Sequence, residues 1–283
     1  MLRYFDPRSL VAAGWNWLNT IDSPPEGTFS PTYADVCVAR AILKSRGLPT
    51  EIVLEILDWA EYEPVREFAS TQTCTVSAPD TFMARCLTAG VLTQDAIRSL
   101  SARQSDIKVK EIEFIISSRD QGWTSEGTDG TFNTSSWLEV SILRPMPNFR
   151  RPNGLNLAPR KHELQSPATL QPMLMRSGKT LVARPEEARH GIQDGEGDLA
   201  WYLQGNRVAT ERRCEEYRVI WGEDRHEGNE GSGDGLGFLD ALREGDEIVV
   251  WARAKVSFQV DFPDVRTDPQ SIPDGNVSSR GSK

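Results

Sequence analysis

From about Ile107 onward the chain alternates apolar and polar side chains with a period of two, and no helix of convincing length interrupts the alternating segments. In IKVKEIEFII, Ile107 and Val109 alternate with Lys108 and Lys110; after a one-residue shift, Ile112, Phe114 and Ile116 carry the apolar phase. Such a shift suits a β-bulge, in which one extra residue is inserted into the strand. The same period returns in SWLEVSIL (Leu138, Val140, Ile142), DLAWYLQ, EYRVIWG (Tyr217, Val219, Trp221) and DEIVVWARAKVSF (Ile248, Val250, Ala252, Ala254, Val256). Parallel strands need long, usually helical crossovers. Without them the pattern predicts an antiparallel β-sandwich, jelly-roll-like. GFLDALREGD reads as one short helical turn feeding the strand near Asp246.

The residues before this region follow a helical period. In YADVCVARAILKSRG, Val36, Ala39, Ile42 and Leu43 recur at helical spacing, and Gly47 suits a C-cap. In LPTEIVLEILDWAEYEP, Pro49 sits where a first-turn proline is tolerated and Glu51 favours the helix dipole. Ile52, Val53, Ile56, Leu57 and Ala60 form one apolar stripe that Pro64 ends. PDTFMARCL and LTQDAIRSL read as shorter helices. The expected class is therefore α+β, with four parts. Residues 1–32 are an irregular leader and 33–104 a small helical module. Residues 105–262 are the β-sandwich with a long insertion at about 145–195, and 263–283 a disordered tail. The insertion is rich in Pro, Arg and Gly with little periodicity, so it reads as disordered or ornamental.

The 283 residues suffice for one large domain or two ordinary ones. With 32 basic and 41 acidic residues the net charge is −9, which disfavours bulk attraction to nucleic acid or anionic lipid. No apolar run approaches the roughly 20 residues that span a bilayer. The opening MLRYFDPRSLVAAGWNWLNT does not read as a secretory signal, because its apolar run LVAAGW is short and follows an aspartate. Cys37, Cys74, Cys86 and Cys214 contain no CxxC pair and make no disulfide framework in a chain of this size. A reducing compartment, cytoplasm or nucleus, is the expectation.

Several catalytic and cofactor signatures fail on spacing. MRSGKT lacks the upstream glycine of a phosphate-binding loop, since Met173 stands there. In GNEGSGDGLGF, Gly231, Gly233, Gly235 and Gly237 alternate, but Leu236 and Phe238 occupy the positions where a dinucleotide fingerprint needs glycine; a flexible loop is the plainer reading. EDRHEGNEGSGDG offers Glu223, Asp224, Glu227, Asn229, Glu230 and Asp234 as hard oxygen donors, but His226 breaks the EF-hand register. His162, His190 and His226 form no zinc pattern, and no GxSxG elbow is present. No catalytic residue, metal or cofactor is assigned.

LPTEIVLEIL resembles the opening of the F-box, whose Leu-Pro and amphipathic helix dock onto the Skp1 adaptor of cullin-type ubiquitin ligases. Leu48, Pro49, Ile52, Ile56 and Leu57 match that opening, while the later F-box helices are not evident. More broadly, SRDQGWTSEGTDGTFNTSSWLE with WYLQGNRVA, YRVIWGED and GSGDGLGFLDALREGDEIVVWARA is similar to a group of uncharacterised fungal proteins. These combine an LPxEIVxxIL helix with a tryptophan-rich β-sandwich. The chain departs from them after ARA, where KVSFQVDF replaces an expected Gly-Trp-Asn element.

The sandwich resembles galactose-binding-like jelly rolls in general plan, and that resemblance implies a rim of loops binding a protein or glycan. The rim residues are Asp120, Gln121, Trp123, Gln204, Asn206 and Trp221. Core packing is the plainer reading for Trp137, Trp201, Trp221 and Trp251, whereas Trp123 suits rim exposure and loop anchoring equally. The functional expectation is an intracellular binding protein: a substrate adaptor with a Skp1-like partner and a protein or glycan ligand. The alternative is an enzyme of unknown reaction using the rim loops.

Overall fold

The structure is a computed structural model that describes residues 2–5, 31–70, 74–76, 82–92, 108–120, 127–150, 166–188, 191–193, 197–208 and 214–255. In chain order the elements are β1 (Leu2–Phe5), α1 (Tyr33–Ser45), α2 (Thr50–Trp59), β2 (Val65–Arg66), β3 (Met83–Gly90), β4 (Lys108–Ser118) and β5 (Ser136–Pro145). They continue with α3 (Pro167–Arg176), β6 (Lys179–Leu181), a 3-10 turn (Gly191–Gln193), β7 (Trp201–Gly205) and β8 (Glu215–Gly222). The last are β9 (His226–Glu227), α4 (Phe238–Ala241) and β10 (Glu247–Ala254). The class is α+β, and among the described residues every strand pairing is antiparallel. Among the described residues no helix is long and apolar enough to cross a membrane.

The first sheet has the order β2-β1-β4-β8-β9. Its register contains the expected bulge: Arg3 faces Glu111 and Tyr4 faces Val109, so Lys110 is the extra residue. Below the bulge Val109 points inward; above it Ile112, Phe114 and Ile116 do. The N-terminal organisation differs from the expectation. β1 lies in the stretch read as an irregular leader, and β2 and β3 lie in the stretch read as a helical module. The helices α1 and α2 therefore lie, in chain order, between two strands that pair directly in one sheet. A strand of four residues is too short to display a period, which is why LRYF escaped notice.

The second sheet has the order β3-β10-β5, with β6 and β7 both paired to β5. β3 replaces the helix read into PDTFMARCL. Met, Ala, Arg and Leu favour a helix locally, but pairing with β10 from Gly90 to Met83 outweighs that preference. The helix read into LTQDAIRSL lies almost wholly outside the described residues, as do the tail, Gln121 and Trp123.

One apolar cluster draws on both sheets. β4 and β8 contribute Ile112, Phe114, Val219 and Trp221, and β5 and β10 contribute Leu138, Val140, Ile142, Ile248 and Val250. Within it the Phe238 ring meets Trp201 and Trp221, with centroids 5.0 and 5.1 Å away.

The other face of the second sheet is also covered. Met83, Leu143, Val249 and Trp251 pack against Leu170 and Leu174 of α3 and against Leu181. Eight consecutive residues of β5, Ser136 to Leu143, are consequently buried. The insertion thus contains an ordered helix with a Ser166–Thr169 capping box, and it packs on the sheet. Its composition hides this because three apolar side chains on a short helix, Leu170, Met173 and Leu174, are enough once a sheet face receives them.

Candidate functional site

The α1–α2 hairpin is assembled from strong local signals. Thr32 and Asp35 form a reciprocal capping box at the start of α1. The hydrogen bonds from Thr32 hold the Asp35 carboxyl below its ordinary value. Gly47, at φ +85°, allows the turn into Pro49 and α2. Between the helices Val36, Val53 and Leu57 are buried, with Ala39, Leu43, Leu48 and Tyr62 against them.

This packing divides the five residues matched to the F-box opening. Leu57 is buried and Leu48 half-buried inside the hairpin. Pro49, Ile52 and Ile56 face outward, the two isoleucines 42% and 38% exposed. Trp59, one further turn along, is 79% exposed, so Ile52, Ile56 and Trp59 form an outward stripe at i, i+4 and i+7. On α1, Val38 and Ile42 are exposed as well. Sequence reasoning missed Trp59 and Val38, and Ile42, read into the apolar pattern of α1, lies outside the hairpin core; the i+7 spacing from Ile52 was the signal available for Trp59.

The hairpin is fastened to the first sheet by the bulge residue. Lys110 Nζ donates to Asp58 at the end of α2 and, at 2.6 Å, to Glu63 Oε1. Burial pulls the Lys110 ammonium down, but these two carboxylates overcome it and hold its pKa above the ordinary value.

Of the side chains expected at a ligand-binding rim, Asp120, Gln204, Asn206 and Trp221 lie in the interior, whereas Gln121 and Trp123 are outside the described residues. Ser118 Oγ donates to Asn206 Oδ1 at 2.5 Å, Asn206 Nδ2 to Ser136 Oγ at 3.0 Å, and Ser136 Oγ to Asp120 Oδ1 at 3.0 Å. Asn206 and Ser118 are fully buried, and Asp120 is 7% exposed. Gln204, also fully buried, donates to Asn229 Oδ1 and to the carbonyl of Gly205. Trp221 is in the core, its indole N–H donating to the Gly233 carbonyl at 3.0 Å. In sequence, Asp120, Gln204 and Asn206 read as an exposed rim because they follow or end strands. In the structure they join β4, β5 and β7 to one another, as buried polar groups must find partners within the protein.

A second polar cluster lies on the opposite face of the second sheet, and sequence reasoning missed it. Glu139 accepts hydrogen bonds from Arg253 Nη1, from Trp137 Nε1 at 3.1 Å and from Gln193 Nε2 at 2.5 Å. Arg253 lies over the Trp137 ring, 4.9 Å from its centroid, and both charged residues are at most 2% exposed. The neighbouring tryptophans, Trp137 and Trp251, were the available signal that this face is covered.

The glycine-rich segment is a packed strap, in contrast to the flexible loop expected. Gly231 N–H and C=O both serve it: the amide donates to Asn229 Oδ1 and the carbonyl accepts from Gly205 N. Gly233 lies against the Tyr202 carbonyl, and Gly235, at φ +63°, lies against the Trp221 indole. A Cβ at either position would overlap those atoms. Two of the acids that read as calcium donors are engaged elsewhere: Glu227 with Arg218 and Arg225, Asp234 with the Leu236 amide. An open depression of about 660 Å³ beside this strap is bounded by Tyr217, Arg218, His226, Glu227, Asn229 and Ser232. Among the described residues no three His, Cys, Asp or Glu side chains cluster as a metal site would require.

No family model matches the chain, and neither a curated protein nor a solved structure matches it.

Proposed function

We propose that the protein is a protein-binding adaptor that docks a Skp1-like partner through α2. The observation that carries this reading is the outward stripe of Ile52, Ile56 and Trp59 behind an exposed Pro49, on a helix whose sequence resembles the F-box opening. Large apolar side chains grouped on one exposed face are the usual mark of an interaction surface. The hairpin departs from the F-box plan in two respects. α1 precedes the Leu-Pro, and after α2 the chain enters β2 with no further helix among residues 60–70.

The two sheets are read as the recognition body, a β-sandwich of jelly-roll order. The order β3-β10-β5-β7 in one sheet, with β4 and β8 adjacent in the other, supports it, since β3, β4 and β5 then alternate between sheets. A protein ligand is favoured over a glycan, because Asp120, Asn206 and Gln204 are occupied with internal partners.

The test is co-purification of the full chain with Skp1, beside an Ile52→Asp/Ile56→Asp variant whose melting temperature is checked against the parent. Capture by the parent and at least tenfold weaker capture by the variant is the expected result. A folded parent that captures no Skp1 ends the reading.

A further inference from the structure

β3 is an outer strand of the second sheet, and its register against β10 slips once. Val250 faces Leu87 and Trp251 faces Arg85, so Cys86 is the extra residue between them. Extra residues of this kind re-aim a side chain. Here Cys86 packs with Ala84, Ala252, Ala254 and the fully buried Val76, two residues beyond Cys74. The segment 74–76 thus lies alongside β3 at the bulge, with the Cys74 thiol against the residue that precedes Cys86. Cys74 Sγ lies 3.5 Å from the Arg85 carbonyl oxygen, and Cys86 Sγ lies 3.7 Å from that of Ala84. Cys86 is partly exposed, whereas Cys74 is 8% exposed. The remaining cysteines are remote in the fold, Cys37 on α1 and Cys214 beside β8.

We infer that Cys74 and Cys86 form a redox-active dithiol that a low-molecular-weight disulfide oxidises to an intramolecular disulfide. In the first step the Cys74 thiolate attacks one sulfur of the small disulfide. That S–S bond breaks, and one small thiolate departs with the electron pair and takes up a proton. Cys74 is left in a mixed disulfide. Cys86 then gives up its proton and attacks the Cys74 sulfur, expelling the second small thiol. Two protein S–H groups and one small disulfide become one protein disulfide and two small thiols, so atoms and electrons balance. The neighbouring Cys86 thiol holds the Cys74 thiol down to about 7, which suits an attacking group near neutral pH. The same contact, aided by burial, pushes Cys86 up, as suits the resolving partner. The crosslink fastens the segment 74–76 to the sheet's outer strand, and this chemistry is independent of the α2 surface.

The experiment equilibrates the full chain in buffers of oxidised and reduced glutathione, traps free thiols by alkylation and maps the peptides by mass spectrometry. The expected product is a Cys74–Cys86 crosslink, reversed by reduced glutathione and formed to the same extent in a Cys37→Ser/Cys214→Ser variant. Cys86→Ser is expected to accumulate the glutathione adduct on Cys74, with at least tenfold more adduct than the parent chain. Three results overturn the inference: an adduct without crosslink in the parent, an equal yield of crosslinks through Cys37 or Cys214, or no reaction at Cys74 while the protein is folded.

Discussion

Lys110 Nζ lies 2.6 Å from Glu63 Oε1, joining the extra residue of the β4 bulge to the chain that leaves α2. A lysine in the regular register would alternate with its neighbours; the bulge turns this one toward the hairpin. The orientation of the exposed stripe on α2 therefore depends on a defect in a strand.

Replacing that lysine separates the two contacts by burial. Glu63 is 7% exposed, whereas Asp58 is 48% exposed. Lys110→Met is expected to cost about 2 kcal/mol, because it removes a charged partner from a buried carboxylate. Asp58→Asn is expected to cost about 0.5 kcal/mol, as solvent screens its half of the contact. Urea denaturation measures both, and equal losses would contradict the assignment.

The Arg253–Glu139 pair is buried on both sides. Arg253→Met and Glu139→Gln are each expected to destabilise by about 3–5 kcal/mol, since each leaves an uncompensated partner in the interior. The double variant is expected to lose much less than the sum of the two. Additive losses in guanidinium denaturation would show that the charges do not interact.

Two glycines with left-handed backbones separate strain from overlap. Gly130 (φ +72°) has open space where a Cβ would stand, so Gly130→Ala is expected to cost about 1 kcal/mol. Gly235 (φ +63°) would place a Cβ against the Trp221 ring, so Gly235→Ala is expected to cost about 3 kcal/mol and to alter tryptophan fluorescence. A Gly235→Ala protein as stable as Gly130→Ala would show that the strap is not packed on the indole.

The neighbouring Cys86 thiol holds the Cys74 thiol down to about 7 from its ordinary 9.0, so the thiolate is expected above about pH 7 and is lost as the pH falls through that value. The alkylation rate at Cys74 is expected to rise with a midpoint near 7. In Cys86→Ala, which removes that neighbour, the midpoint is expected to move back toward 9.0. Identical pH profiles for the parent and the variant would dissociate the two thiols.

The features legible in the sequence are those whose cause is local. The phase shift at Lys110 announced the bulge, and the two-residue period announced β4, β5, β8 and β10. The apolar stripe between Pro49 and Pro64 announced α2. The same locality misled at PDTFMARCL, where residues with helical preferences became β3, and at the insertion, whose composition conceals α3. At the candidate site, Pro49, Ile52 and Ile56 were identified from the motif, but Leu48 and Leu57 proved to hold the hairpin together.

Periodicity by itself determined that β4, β5, β8 and β10 are strands and which of their side chains face the shared core, and the lack of helical crossovers between them pointed to antiparallel pairing. The tertiary structure alone decided whether the opposite face is wet or dry. Glu139 and Arg253 stand 114 residues apart and meet only because β5 and β10 are neighbours. Asp120 and Asn206 come to share Ser136 in the same way. A polar residue at an alternating position faces solvent or a buried partner depending on what the rest of the chain lays over it. That is a long-range fact of packing, and no local pattern of side chains encodes it.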